Sequence, residues 1–382
     1  MKNVKLKRVL FLFFIQLLLI FGLCSCNSSK PSNKKSSLLN SVKEETITIE
    51  DVKDEPLAMV KHEGKWGVID KEGNWIKDPT MSFKNVCQFS DGLAKAQAEN
   101  DKWGFINKLG DWVITPRFSN DNSSISNTNL GYFNNNRAFA GTDFTYGIID
   151  KEGNWIVEPS FFSIDQFSDG LAYVSYYEND QRKKGYVDTN GNIAFIFSDD
   201  NNYELILGFS EGLATKANSK GKIGYINKKG EWVIEAIYED SGSFHEGLAS
   251  ATLNDKVGFI DKKGSWVIKP NFSLSSHFSE GLAAVELDGK EGMINTSGNW
   301  VIQPKYHFLG DCIEGMIEVW TGDKSGYLNK DGKVIVKPKY DETYPFSNGL
   351  SVVILNEKYG YIDKNGNEVV KPVFEDALNF VK

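Results

Sequence analysis

The chain has 382 residues, 13% of them aromatic and 25% charged, with a formal charge of −8. That acidic balance argues against nucleic acid as a partner, because such binding rests on Lys and Arg. It argues equally against docking on anionic lipid beyond any acyl anchor.

Residues 1–25 read as a targeting segment. Lys2, Lys5, Lys7 and Arg8 make a positive start, and an apolar run from Val9 to Leu23 follows, interrupted only by Gln16 and Gly22. This is the pattern of a secretory signal peptide, which lies outside fold reasoning. The run is short for a membrane span, which needs ~20 apolar residues. It ends in Leu23-Cys24-Ser25-Cys26. Leu23 at −3 and Ser25 at −1 before Cys26 resemble the bacterial lipobox, in which the cysteine is acylated and becomes the mature N-terminus. The alternatives are an ordinary cleaved signal or an uncleaved anchor helix. Two or three acyl chains anchor stably where one is marginal. Removing residues 1–25 deletes four positive charges and no acids, which takes the formal charge from −8 to −12.

Residues 26–56 form a tether. Asn27 to Ser37 has almost no apolar content and cannot offset its ordering entropy, so disorder is expected there. Such a segment would hold the folded part off the bilayer.

From residue 57 to 382 the chain repeats itself. A glycine recurs at Gly67, Gly104, Gly147, Gly185, Gly224, Gly258, Gly292, Gly326 and Gly360, in steps of 37, 43, 38, 39, 34, 34, 34 and 34 residues. A fixed period of this size marks solenoids, propellers or arrays. Three positions after each anchor glycine stands Asp or Asn, and six positions after it another glycine, as in Asp261 and Gly264. Asp or Asn opening and Gly closing a four-residue turn is a type I signature. Closed by a left-handed glycine, such a turn makes a bulged β-hairpin. Eight positions after the anchor lies Trp in six copies: Trp75, Trp112, Trp155, Trp232, Trp266 and Trp300. Pro at the twelfth position, as in Pro270, ends the second arm because it cannot donate to a ladder. A second motif, Phe-Ser-X-Gly-Leu-Ala, then opens a third strand, as at Phe278–Ala283.

The expected fold is therefore all-β, a tandem array of about nine units of 34–43 residues, each of three short antiparallel strands. Leu57 to Val60 align with the third strand of a unit, and the last copy stops at Phe380 before any third strand. In a closed propeller the N-terminal strand would complete the final blade. Nine units exceed the usual ~4–8 blades, so an open β superhelix is the rival architecture. The tryptophans are expected in the core between neighbours.

These residues resemble the WG (KWG) repeat family of bacterial proteins. Its namesake dipeptide stands as Trp66-Gly67 and Trp103-Gly104, with Tyr146-Gly147 and Tyr359-Gly360 as variants. The resemblance implies a repeat scaffold, often surface-associated, with no catalytic residues and no cofactor.

Departures from the pattern fall at Asn120–Asn136 and Thr189–Asn202. Insertions in repeat proteins map to loops, either tolerated surface loops or parts of a binding face. Trp320 stands off-register beside Thr321-Gly322-Asp323 and is the candidate ligand-facing aromatic. Cys87 and Cys312 are expected as buried thiols, with Cys26 taken by lipid. The nine-fold Asp/Asn series lacks the Asp-X-Asp-X-Asp-Gly spacing of a Ca²⁺ loop, and turn capping explains it without a metal. His62, His245, His277 and His307 occupy different repeat positions and form no ligand pair. Lys71, Lys151, Lys262 and Lys364 sit in hairpin turns and read as solvated. No nucleophile elbow, Walker loop or dinucleotide fingerprint occurs. The expected function is a non-enzymatic, lipid-anchored scaffold of the bacterial cell envelope that binds a protein partner. A carbohydrate- or peptidoglycan-binding module is the alternative, and an envelope hydrolase with an unrecognised site stands behind both.

Overall fold

The computed structural model describes residues 47–119, 130–142, 144–197 and 208–382. The signal segment, Cys26 and most of the tether lie outside the described residues, as do much of the two irregular stretches. The last tether residues are docked. Val52 is buried beside Leu57 and Leu109, and Lys108 donates to the carbonyls of Lys53 and Glu55 at 2.9 and 2.8 Å.

The described residues build nine antiparallel sheets and no helix, and the sheets form the ring of a nine-bladed β-propeller. Blades are numbered here from one to nine by their anchor glycines, Gly67 to Gly360. The expected three-stranded unit gains a strand. Six of the nine sheets have four, because the residues ahead of Phe-Ser-X-Gly pair with the strand that follows them. In blade seven, Leu274–Ser275 lies on Leu282–Leu287, which pairs with Lys290–Asn295, which pairs with Trp300–Tyr306. Blades three and six reduce that first strand to the single bridges Leu130↔Ala140 and Ser241↔Ala251.

Ring closure decides between the two architectures. Blade one takes its second strand from Ala58–His62 and its first from Asp376–Ala377 at the other end of the chain. Leu57 and Val381 bridge beside them, and the Gly64 amide donates to the Glu375 carboxylate at 3.0 Å. The open superhelix is thereby excluded, and nine blades stand where the usual range ends at ~8.

The turns form as their chemistry dictates. The Gly264 amide donates to the Asp261 carbonyl at 2.9 Å and Gly264 has φ +80°, while the Asp261 carboxylate accepts from the Lys263 and Ser265 amides. The anchor glycine has a different reason. A Cβ on Gly258 would lie 2.4 Å from the Ile268 carbonyl oxygen, because the fourth strand bulges inward there. The hairpin glycine touches the preceding blade: a Cβ on Gly264 would meet Ile234 at 2.9 Å, and one on Gly73 would meet Val370 across the closure at 2.8 Å.

The core is a set of aromatic pairs between blades. Phe259 in blade six packs against Phe278 ahead of blade seven with ring centroids 4.8 Å apart, and both are fully buried. Tyr225–Phe244, Tyr327–Phe346 and Tyr361–Phe380 repeat the contact, the last across the closure. The tyrosines also donate to first-strand carbonyls of the next blade, as Tyr361 does to Leu378 at 2.7 Å.

The expectation that the eighth-position tryptophans fill this core is corrected. Trp75 and Trp232 are 39% and 44% exposed, and Trp112, Trp155, Trp266 and Trp300 are half-buried. Each of the four pairs resolved across consecutive blades is edge-on, as in Trp266–Tyr238 at 5.6 Å and 87° and Trp300–Phe272 at 5.8 Å and 81°. These rings clasp neighbours at the outer strand, which has solvent on its far side. The buried indoles are those of the namesake dipeptide, Trp66 and Trp103.

Candidate functional site

The two faces of the ring differ in kind. On one face lie the Phe-Ser-X-Gly turns. Residue X has left-handed φ, near +50° at Asp169, Glu211, Glu246, Glu280 and Glu314. A side chain there costs ~1–2 kcal/mol relative to glycine. The carboxylate repays the strain by accepting from the next blade's turn, as Glu211 does from the Gly247 amide at 3.0 Å and Glu314 from Gly349 at 2.9 Å. The preceding serine adds a second link, as Ser279 donates to the Cys312 carbonyl at 2.7 Å.

Three of the four hairpin lysines read as solvated, Lys151, Lys262 and Lys364, belong to the same system, which corrects that reading for them and leaves it standing for Lys71. Lys151 pairs with Asp91 at 3.0 Å, Lys228 with Asp169 at 2.9 Å, Lys262 with Glu211 at 3.0 Å, Lys330 with Glu280 at 3.0 Å and Lys364 with Glu314 at 2.9 Å. Every pair joins one blade to the next. Burial alone raises the Glu211 and Glu314 acids, but hydrogen bonds from lysine and from turn amides outweigh it and hold both below the ordinary range. Most of the turns on this face hold one another.

Near it, the rings of His245 and His277 lie 4.2 Å apart, and His277 Nε2 is 3.6 Å from Asp311 Oδ2. Burial, with His277 second, lowers the His245 pKa. The two histidines separated by repeat position are therefore neighbours in space. Among the described residues no three His, Cys, Asp or Glu side chains converge to hold a metal ion. One blade further on, Glu318 is buried and its acid is pushed up to about 8, chiefly by desolvation and secondarily by Asp311, with Thr343 opposing. Neither Glu318 Oε1 nor the Thr343 hydroxyl makes a well-formed hydrogen bond.

The opposite face carries the second-to-third-strand turns. Most end in polar pairs in left-handed conformation, such as Asn254-Asp255, Asp288-Gly289 and Asn356-Glu357. Blade four departs. Its strands Leu171–Glu178 and Gln181–Asp188 are each 8 residues long and pair to their tips, whereas blade seven's are 6 and 6. The first strand, Ser163–Ile164, reaches only Ser175 and Val174, and the fourth reaches only Gly185 to Val187. The hairpin tip thus projects. On one side of it Tyr177 faces Arg182 across the pair, Phe162 meets Tyr177 edge-on at 5.9 Å, and the Arg182 guanidinium lies 4.8 Å from the Phe162 ring centre. Arg182 also donates to the Ser175 hydroxyl at 3.2 Å. Tyr177 is 60% exposed and Phe162 48%. On the same face, in the adjoining turn of blade three, Phe144 is 83% exposed. Exposed aromatics of this size concentrate in these two adjacent blades, and exposed apolar clusters of this kind mark interaction sites.

The residues singled out in the sequence fall elsewhere. The anchor glycines lie under the fourth strand of their own blades, and the tryptophans sit on the outer strands. Trp320 is half-buried within strand Met316–Thr321, opposite Phe308 and Ser325, and not in a loop. Cys87 and Cys312 are buried thiols and not halves of a disulfide, and burial pushes the Cys312 thiol up to about 12. No helix of the described residues is long and apolar enough to cross a membrane. The site residues Phe162, Tyr177 and Arg182 escaped the sequence reading. Their signal was a length: 14 residues separate Leu171 from its anchor Gly185, against 10 from Leu282 to Gly292.

A family described as "WG containing repeat" matches residues 66–103, 103–140, 146–178, 223–256, 258–290, 292–324, 326–359 and 359–382. The chain belongs to the WG-repeat family. Comparison with curated proteins returns no match. Among solved structures, similar ones include a eukaryotic initiation factor at 11% identity, covering 82% of this chain and 84% of that one with TM-score 0.45. Another is BamB from Moraxella catarrhalis, at 12% identity, 82% and 90% coverage and TM-score 0.34. PorZ of Porphyromonas gingivalis, a surface component of its type-IX secretion system, is 11% identical with 83% and 50% coverage and TM-score 0.31. These likenesses are distant, and the fold rests on the strand pairing above.

Proposed function

We propose that this WG-repeat propeller is a non-catalytic, lipid-anchored scaffold of the bacterial cell envelope that binds protein partners through the projecting face of blades three and four. The observation that carries the reading is the exposed Phe162–Tyr177–Arg182 cluster, built where one blade departs from its copies. Repeat scaffolds place binding residues in such departures, while shared positions hold the stack together. The anchor rests on Leu23-Cys24-Ser25-Cys26.

Two measurements test this. Metabolic labelling with palmitate should tag the wild type and not Cys26→Ala. Pull-down of the full chain from envelope extracts should recover a protein that Phe162→Ala/Tyr177→Ala loses. Recovery of no partner, or turnover of an envelope substrate by the purified chain, would overturn the reading. Exposed rings also suit sugar stacking, so a glycan array on the same variants separates the carbohydrate-binding alternative.

A further inference from the structure

We infer that the projecting hairpin of blade four takes an acidic, aromatic-bearing segment of its protein partner, with Arg182 as the charge-reading residue. This rests on the scaffold reading and adds the chemistry of what is bound. The argument is one of charge and shape. On the opposite face of the ring the hairpin lysines are matched: Lys151, Lys228, Lys262 and Lys364 each hold a carboxylate of the adjoining blade. Arg182 holds none among the described residues; its contacts are the Ser175 hydroxyl and the Phe162 ring. It is exposed, and it lies on the same side of the hairpin as Tyr177, since the two are cross-strand partners. Alternation places Glu178 and Lys183 on the other side with Tyr176. The aromatic side of the tip therefore presents a guanidinium that makes no ion pair among the described residues, in a chain whose formal charge is −8.

A guanidinium held 4.8 Å from an aromatic ring centre, with one N–H group given to Ser175, keeps its other N–H groups for a carboxylate, in the fork geometry that suits Arg over Lys. The rings of Phe162 and Tyr177, edge-on to one another, leave a step onto which a third aromatic or a proline can pack. An extended segment carrying Asp or Glu next to Tyr, Phe or Pro satisfies both halves. Such anchors concentrate binding energy in few residues.

The test uses the full chain in detergent with three fluorescein-labelled dodecapeptides of equal aromatic content, one Asp/Glu-rich, one neutral and one Lys-rich, read by fluorescence anisotropy. The acidic peptide should bind at least tenfold more tightly than the other two. Arg182→Glu should weaken it at least tenfold, Arg182→Lys should keep part of the affinity, and Phe162→Ala should weaken it severalfold. Val267→Ala on the distant rim should leave it unchanged, and thermal melts verify that each variant folds. Equal binding of the three peptides, no binding of any, or indifference to Arg182→Glu overturns the inference. So does binding of chito-oligosaccharide that needs Phe162 and Tyr177 but not Arg182. If the pull-down partner is retained by Arg182→Glu, the scaffold reading survives and this inference fails alone.

Discussion

Blades five to nine and blades three and four are built from the same unit and use it differently. In the regular arc every anchor is 34 residues from the next, and each unit spends its distinctive side chains on its neighbours. Glu211, Glu280 and Glu314 bind the next turn, and Lys262, Lys330 and Lys364 return the contact. In the irregular arc Asn135 stands where a carboxylate would be, Thr189 where a lysine would be, and Ile193 where a tryptophan would be. A substitute link remains, from Arg137 Nε to the Thr189 carbonyl at 2.7 Å. What the arc loses in clasps it shows as Phe144, Phe162 and Tyr177 on the surface. Shared positions thus encode closure of the ring, and broken ones encode what the ring presents.

The sharpest way to break that comparison is to truncate one aromatic from each arc. Phe259→Ala removes a fully buried ring and its 4.8 Å contact with Phe278, and should cost ~3–5 kcal/mol in urea denaturation. Phe162→Ala and Tyr177→Ala should each stay within ~0.5 kcal/mol, the range of surface changes. A large loss at Phe162 would mean that the exposed rings are structural.

Glu318 is the regular arc's own departure, an acid where the equivalent positions are Ser250, Ala284 and Val352. Burial raises its acid to about 8 from an ordinary 4.5, with Asp311 nearby and Tyr327 and Thr343 on adjoining strands. A raised carboxyl favours the native state only while protonated. Its contribution is therefore whole below about pH 4.5 and gone once the pH passes about 8. At ~1.4 kcal/mol per pK unit the span is on the order of 5 kcal/mol. Stability measured between pH 5 and 9 should fall in the wild type and flatten in Glu318→Gln. A wild type with no slope over that window would place the acid in contact with water.

A smaller effect separates what the sequence displayed from what it hid. Trp266→Ala should cost ~1–2 kcal/mol, because the indole is only half-buried at the edge of its core cluster, where it meets Tyr238 edge-on. Strict recurrence reported a repeated contact, and Trp75, Trp155, Trp266 and Trp300 each meet an aromatic of the preceding blade edge-on. It carried no information on how much of the ring the contact covers. The turns were legible because Asp261 and Gly264 act within four residues of one another. Ring closure was half-legible, since Leu57 to Val60 lacked a partner that the C-terminus could supply, but no local rule chooses between a ring and a superhelix. The exposed cluster was least legible. Phe162 and Tyr177 look like ordinary strand residues until the added length of their hairpin lifts them past the strands on either side.

The smallest expected effect concerns the charged clasps. Glu211 and Lys262 are about one-third and two-fifths exposed, so their pair is worth ~0.2–1 kcal/mol and is weakened by salt. Because the Glu211 acid is held below its ordinary 4.5, its stabilisation is present above that pH and disappears as the pH falls through the lowered value. Glu211→Gln should lower Tm by a degree or two at pH 7 and by nothing at pH 3. The reverse change tests whether a clasp can be moved between arcs. Asn135 already holds left-handed φ, +53°, and Thr189 occupies the lysine position of the following blade. Asn135→Asp with Thr189→Lys should therefore stabilise the irregular arc by less than ~1 kcal/mol at low salt, with the gain vanishing near 1 M NaCl. Either substitution alone should yield less than half of that, because the geometry is already in place and only the charge pair is missing. If the double variant gains nothing, the third and fourth blades are set apart by more than their lost charges, and the Arg137 link would be the next contact to remove.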